Sequence, residues 1–134
     1  MGGELLVPQP TGDTREFWEG CKEKRLRFQQ CTNCGHVRWP PSCLCPVCHS
    51  LEARWIDSSG RGRIYTFTVY HVAFHPAWKD KVPYVTAVVE LEEGPRFLSN
   101  IVVADPRTLS IGVPVEVVWE EAGEYLVPRF RVVV

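Results

Sequence analysis

Six cysteines dominate the chemistry this chain can do, and five of them fall between residues 31 and 48. Cys31-Thr32-Asn33-Cys34-Gly35 is followed by Cys45-Pro46-Val47-Cys48-His49 after an interval of ten residues. A CxxC pair turns tightly and points both sulfurs at one ion, and two such pairs make a tetrahedral four-sulfur site. The expected ligands are therefore Cys31, Cys34, Cys45 and Cys48. Gly35 follows the first pair, where the backbone needs a positive φ. His49 holds the matching place in the second turn and is read as a turn residue, because His tolerates the left-handed region better than most side chains. Cys43 is too close to Cys45 for both to serve in one knuckle, so it is read as a bystander. Cys21 is read as a small buried side chain. A site closed by four protein ligands leaves no position for substrate, so its role is structural. Zinc, one per chain, is the expected ion. Iron in the same four sulfurs would make an electron carrier instead, and spacing does not separate the two.

No second catalytic constellation accompanies the cysteines. None of His36, His49, His71 and His75 has a Ser, Cys or Asp partner placed for nucleophilic catalysis. His71 reads as part of a strand, packed or on its surface, and His75 opens a loop. Glu90, Glu92 and Glu93 read as a solvated hairpin end. Gly60-Arg61-Gly62 lacks the downstream Gly and Lys of a phosphate loop. The loop His75–Val82 places Trp78 among Lys79 and Lys81. Those lysines could meet the phosphates of an acyl-CoA while Trp78 stacks on its adenine or covers its acyl chain; otherwise Trp78 closes the open end of a barrel.

The elements that position these residues follow from periodicity. Residues 1–12 read as an extended arm. Asp13 and Glu16 have capping-box spacing for a short helix ending near Lys24. Phe17, Trp18 and Cys21 share one side of it, either packed on the domain or docked on a partner. Alternation from Arg25, with Leu26 and Phe28 on one face, makes the strand that enters the first cysteine turn. Val37 to Trp39 returns as its neighbour. Leu51 to Ile56 leaves the ribbon, with Trp55 packing where the two halves meet. Ser58 to Gly62 marks a boundary. Five strands follow, over 63–74, 84–91, 96–104, 113–120 and 125–133, with one helical turn after Asp105. The implied organisation is an arm and helix over 1–24, a zinc ribbon over 25–57, and a small barrel over 58–134. Five short strands suit an OB-type barrel, with an SH3-like barrel as the alternative.

Composition sets the outer bounds. The chain has 134 residues, 45% hydrophobic and 23% charged, as in ordinary globular proteins. A formal charge of −1 argues against a dedicated nucleic-acid binder, which carries a basic excess. There is no run of 18 apolar residues for a membrane span. The first residues have neither the basic region nor the apolar core of a secretory signal, so a cytoplasmic setting with free thiols is expected.

The order of these pieces resembles one family. FWEGCKEKRLRFQQCTNCG, RWPPSCLCPVC, Trp55 separated by four residues from GRGRIYTFTV, PYVTAVVELEEGPRFLSNIV, IGVPVEV and a final PRF run through residues 16–131. Together they resemble the DUF35 proteins, which pair a rubredoxin-like zinc ribbon with an OB-fold and are associated with acyl-CoA. Cys43 and His49 depart from the family pattern. The resemblance implies a mainly β fold of short helix, ribbon and five-stranded OB barrel. It also implies a non-catalytic accessory subunit of a thiolase-superfamily enzyme: a thiolase, an acyltransferase or a sterol-type retro-aldolase. A MaoC-like hydratase is a further implied partner, and lipid or steroid metabolism the setting. Partner or acyl-CoA contact is then expected of His75, Trp78, Lys79, Lys81, Phe17 and Trp18. The rival reading is a ribbon–OB module that binds single-stranded nucleic acid by stacking bases on aromatics.

Overall fold

The computed structural model describes residues 8–73, 76 and 79–133. One helix, α1 (Arg15–Lys22), leads into a three-stranded ribbon sheet of β1 (Arg27–Cys31), β2 (Val37–Arg38) and β3 (Ala53–Asp57). Five further strands close a barrel: β4 (Arg61–Tyr70), β5 (Tyr84–Leu91), β6 (Arg96–Ile101), β7 (Pro114–Ala122) and β8 (Tyr125–Val132). A 3-10 turn at Pro106–Thr108 connects β6 to β7. The ribbon order is β2-β1-β3, and the barrel order is β4-β5-β6-β8-β7. β8 returns beside β6 in parallel before β7 closes onto β4, which is the Greek-key closure of an OB barrel and settles the choice against an SH3-like one. Among the described residues no helix is long and apolar enough to cross a membrane.

α1 starts differently from its sequence signature. Thr14, not Asp13, is the N-cap, and no side chain caps the helix. The Thr14 hydroxyl is occupied by the Thr11 backbone N–H at 2.9 Å. Glu16 turns away from the helix start and accepts from Arg27 Nη1 at 2.6 Å. A charge-assisted bond to a guanidinium is stronger than a bond to a neutral backbone amide, so the ion pair wins over the capping box. The helix ends at Lys22 rather than Lys24. Lys24 adopts φ 60°, Arg25 N–H bonds to the Gly20 carbonyl and Lys24 N–H to the Cys21 carbonyl. That pair of bonds satisfies the orphan carbonyls of the last turn and reverses the chain into β1.

β5 spans the expected residues, while β4 begins and ends earlier than periodicity indicates. A register break between Ile64 and Thr66 is a bulge at Tyr65 that switches the inward face. Ile64 points inward before it, and Phe67 and Val69 pack on the core after it. The bulge explains why both faces of this strand carry apolar residues. His71 lies just past β4 and is exposed, so it is not a strand residue. Gly62 sits where a Cβ would fall 2.3 Å from the Glu90 carbonyl oxygen, which is why the barrel entry needs glycine there.

One continuous core joins the parts. Phe17 and Cys21 of α1, Leu26, and Phe28 of the ribbon share a buried cluster with Ile64, Val85, Val89, Phe97 and Phe130 of the barrel. Phe97 is the hub: its ring centroid lies 5.1 Å from Trp39, 5.8 Å from Phe17, 6.0 Å from Phe28 and 6.2 Å from Phe130. Such tilted and edge-on pairs add roughly 0.5–1.5 kcal/mol each beyond their buried area. Trp55 packs against this cluster at the junction. Glu92 and Glu93 are not a solvated turn. Ser58 donates its hydroxyl to Glu93, Ser59 donates its backbone N–H to Glu93 at 3.0 Å, and the Ser59 hydroxyl donates to Glu92 at 3.1 Å. The β5–β6 turn thereby holds the segment that links ribbon to barrel.

Candidate metal centre

Each cysteine pair sits in the same backbone turn. In the first, Cys31 N–H bonds to the His36 carbonyl and Gly35 N–H to the Cys31 carbonyl, both at 2.9 Å. In the second, Cys45 N–H bonds to the Ser50 carbonyl and His49 N–H to the Cys45 carbonyl, again at 2.9 Å. Gly35 has φ 82° and His49 φ 65°, so His49 is the turn residue its position indicates. Two equal knuckles facing each other present four sulfurs to one point.

The four Sγ atoms all lie within 4.8 Å of one another. Cys31 and Cys48 sulfurs are 3.5 Å apart, and Cys34 and Cys45 sulfurs 3.6 Å apart. A tetrahedral zinc with Zn–S bonds of about 2.3 Å needs S···S edges of about 3.8 Å, so the spacing fits. Cys31 and Cys45 are buried, Cys48 is half-buried and Cys34 is exposed. The ion would therefore sit near the tip of the ribbon.

The donor chemistry fits a cation as well. The Cys34 backbone N–H leads the groups that bring the Cys31 thiol down to about 6. Cys45 is also lowered, chiefly by the Cys48 backbone N–H. Cys34 moves the other way, to about 12: the His36 N–H favours its thiolate, but partial desolvation within the sulfur cluster and the three neighbouring sulfurs outweigh that. Four thiolates cannot share this space without a positive ion between them. Asn33 Nδ2 lies 3.4 Å from Cys48 Sγ and donates to it, a sulfur-orienting contact that the sequence reading did not single out. Zinc held here would supply cross-linking and no redox chemistry.

Cys43 is exposed and outside the four-sulfur group. Cys21 is fully buried, and burial pushes its thiol up to about 12. Phe17 is 1% exposed, so it serves the core and presents no surface to a partner. Trp18 is half-buried, edge-on to Phe17 at 5.0 Å and to Tyr125 at 6.2 Å. Lys79 is exposed, and its backbone N–H bonds to the Pro76 carbonyl at 3.2 Å. Lys81 Nζ lies 3.3 Å from Glu120 Oε1, and Arg129 Nε reaches the other Glu120 oxygen at 2.9 Å. Burial opposes the Glu120 charge, yet Arg129 and Lys81 hold its carboxyl below the ordinary value. His75 and Trp78 lie outside the described residues, as do residues 1–7 of the expected arm.

A short helix, a four-cysteine ribbon and a five-stranded Greek-key barrel define a zinc-ribbon–OB protein. Residues 18–52 match the family described as "ChsH2, rubredoxin-like zinc ribbon domain", and residues 55–120 match "ChsH2, C-terminal OB-fold domain". The chain is 39% identical over 109 residues to a DUF35 domain-containing scaffold protein of Methanocaldococcus jannaschii, covering 80% of this chain and 77% of that one. It belongs to the DUF35 family. It is also 41% identical over 131 residues to a probable enoyl-CoA hydratase alpha subunit of Thermomonospora curvata. That match covers 96% of this chain but spans only 40% of the Thermomonospora protein. Among solved structures, a chain of the Ltp2-ChsH2(DUF35) aldolase superposes with a TM-score of 0.86 at 38% identity, over 95% of this chain and 99% of that one.

Proposed function

We infer that this protein is a non-catalytic scaffold subunit, stapled by one zinc, that docks on a thiolase-superfamily enzyme and supports turnover of an acyl-CoA or β-ketoacyl-CoA. The observation that carries this reading is the near full-length likeness to a chain of the Ltp2-ChsH2(DUF35) aldolase. The site chemistry supports it. Its one metal-ligating cluster among the described residues is closed by four cysteines, so bond-making falls to the partner's residues. A MaoC-like hydratase is a further partner in this reading, supported by the name of the Thermomonospora relative. In this reading partner or acyl-CoA contact falls to Lys79, Lys81 and Trp18 of α1, and by sequence to His75 and Trp78 of the same loop as the lysines. Six free cysteines suit a reducing cytoplasm.

Co-expression with a thiolase-fold enzyme from the same source tests the docking. The two chains are expected to co-elute in size-exclusion chromatography with one zinc per copy of this chain. Elution as a separate species under all salt conditions, with zinc bound and the chain folded, would overturn it.

A further inference from the structure

A groove of about 510 Å³ runs where the ribbon meets the barrel, outside the metal centre. Arg38, Trp39, Ser42 and Leu44 line its ribbon side, and Glu90 and Arg96 its barrel side. Arg38 is only 5% exposed. Its Nε donates to Gln29 Oε1 at 3.0 Å and its Nη2 to the Ser42 carbonyl at 2.7 Å. Nη1 is buried and has no acceptor. The acceptors of Nε and Nη2, a side-chain amide and a backbone carbonyl, are both neutral. Glu90, the one acidic side chain on the groove, is held by Arg96 at 3.3 Å. Arg96 in turn covers the Tyr65 ring, 3.9 Å from its centroid. His36 is the remaining titratable group on the groove.

A guanidinium taken out of water without a counter-charge is costly, and native proteins pair such groups. A charge-assisted N–H···O bond from a guanidinium to a carboxylate is about twice as strong as a neutral one, and with Nε and Nη2 engaged it is Nη1 that remains to make it. Leu44 is 42% exposed at the mouth, on the irregular segment between β2 and β3. We propose that this junction groove is a carboxylate-binding site in which Nη1 of Arg38 receives the anion, with Trp39 and Leu44 as its apolar walls. The carboxylate can belong to a free small acid or to an acidic side chain of another polypeptide.

The test is a nuclear magnetic resonance titration of the zinc-loaded, ¹⁵N-labelled full chain, following the Arg38 Nε–H and Trp39 indole N–H signals. Sodium acetate and N-acetyl-leucyl-glutamate are the probes, against sodium chloride and sodium phosphate at matched ionic strength. Both signals are expected to move saturably with acetate and not with chloride. The dipeptide saturating at tenfold lower concentration would identify a polypeptide acid as the source, and equal concentrations a free acid. Ser42→Asp keeps an acceptor for the Leu44 N–H and adds a negative charge to the residue whose backbone carbonyl accepts from Arg38 Nη2. It is expected to abolish the acetate response while the zinc content stays unchanged. Arg38→Lys, which keeps the charge but loses the fork, is expected to weaken it at least tenfold. A linear, unsaturable drift with acetate, which would mean that Nη1 holds only ordered water, would overturn the proposal. Saturation by phosphate alone, or an undiminished acetate response in Ser42→Asp, would overturn it equally.

Discussion

The ribbon tip and the barrel are held by different forces. Between residues 32 and 52 only Arg38 and Cys45 are buried. The barrel buries Ile64, Val85, Ala87, Val89, Leu91, Phe97, Ile101, Val115 and Phe130. A segment with so little hydrocarbon inside cannot offset its chain entropy by apolar burial. The metal takes the place of a core there, while the base of the ribbon borrows the barrel's core through Leu26, Phe28 and Trp39. A chain built this way has one end packed on a large apolar core and one tip whose order depends on an ion.

Removing the ion separates the two regions most sharply. Structural zinc contributes on the order of 10 kcal/mol to folding such a segment. Chelation, or Cys45→Ser, is expected to abolish amide protection across residues 32–52 in hydrogen exchange while β4, β5 and β6 stay protected. Equal loss in both regions would mean that the barrel leans on the ribbon more than the burial pattern indicates.

Phe97→Ala should do the reverse. Emptying a fully packed aromatic site costs about 3–5 kcal/mol. Because Phe97 touches rings from helix, ribbon and barrel, its loss should lower the melting temperature of the whole unit. Zinc content measured at low temperature should remain one per chain, since the rings that meet Phe97 are those of Phe17, Phe28, Trp39 and Phe130, none of them in a cysteine knuckle.

A smaller effect comes from Cys21. Its thiol is held near 12 in the folded chain by burial, against 9.0 as its ordinary value. Between those values the unfolded chain has lost a proton that the folded chain keeps. The stability contribution is therefore complete below about pH 9 and falls as pH rises above it, by at most about 1.4 kcal/mol per pH unit. Denaturant melts of the zinc-loaded protein from pH 8 upward should show that decline, and Cys21→Ala should flatten it.

The parts legible in the sequence were those fixed by local geometry. Two CxxC turns announce four sulfurs because the spacing itself builds the knuckle, and Gly35 and His49 mark the left-handed residues. β5 was legible because Val85, Ala87, Val89 and Leu91 alternate without interruption. What escaped depends on partners distant in the chain. The capping box at Asp13 fails because Glu16 finds Arg27, eleven residues on. The bulge at Tyr65 is set by pairing with β5. Glu92 and Glu93 look solvated until Ser58 and Ser59 fold back on them. The burial of Arg38 leaves no local trace either, because it shows only in bonds to Gln29 and to the Ser42 carbonyl. The Trp39–Phe97 contact spans 58 positions along the chain and leaves no periodic trace.

The scaffold reading is tested most directly by an acyl-CoA turnover assay with the purified thiolase-fold partner, with and without this chain. The account predicts no turnover by this chain alone and turnover that rises severalfold or appears only when both are present. Turnover by this chain alone, or a partner whose rate is indifferent to it, would contradict the account.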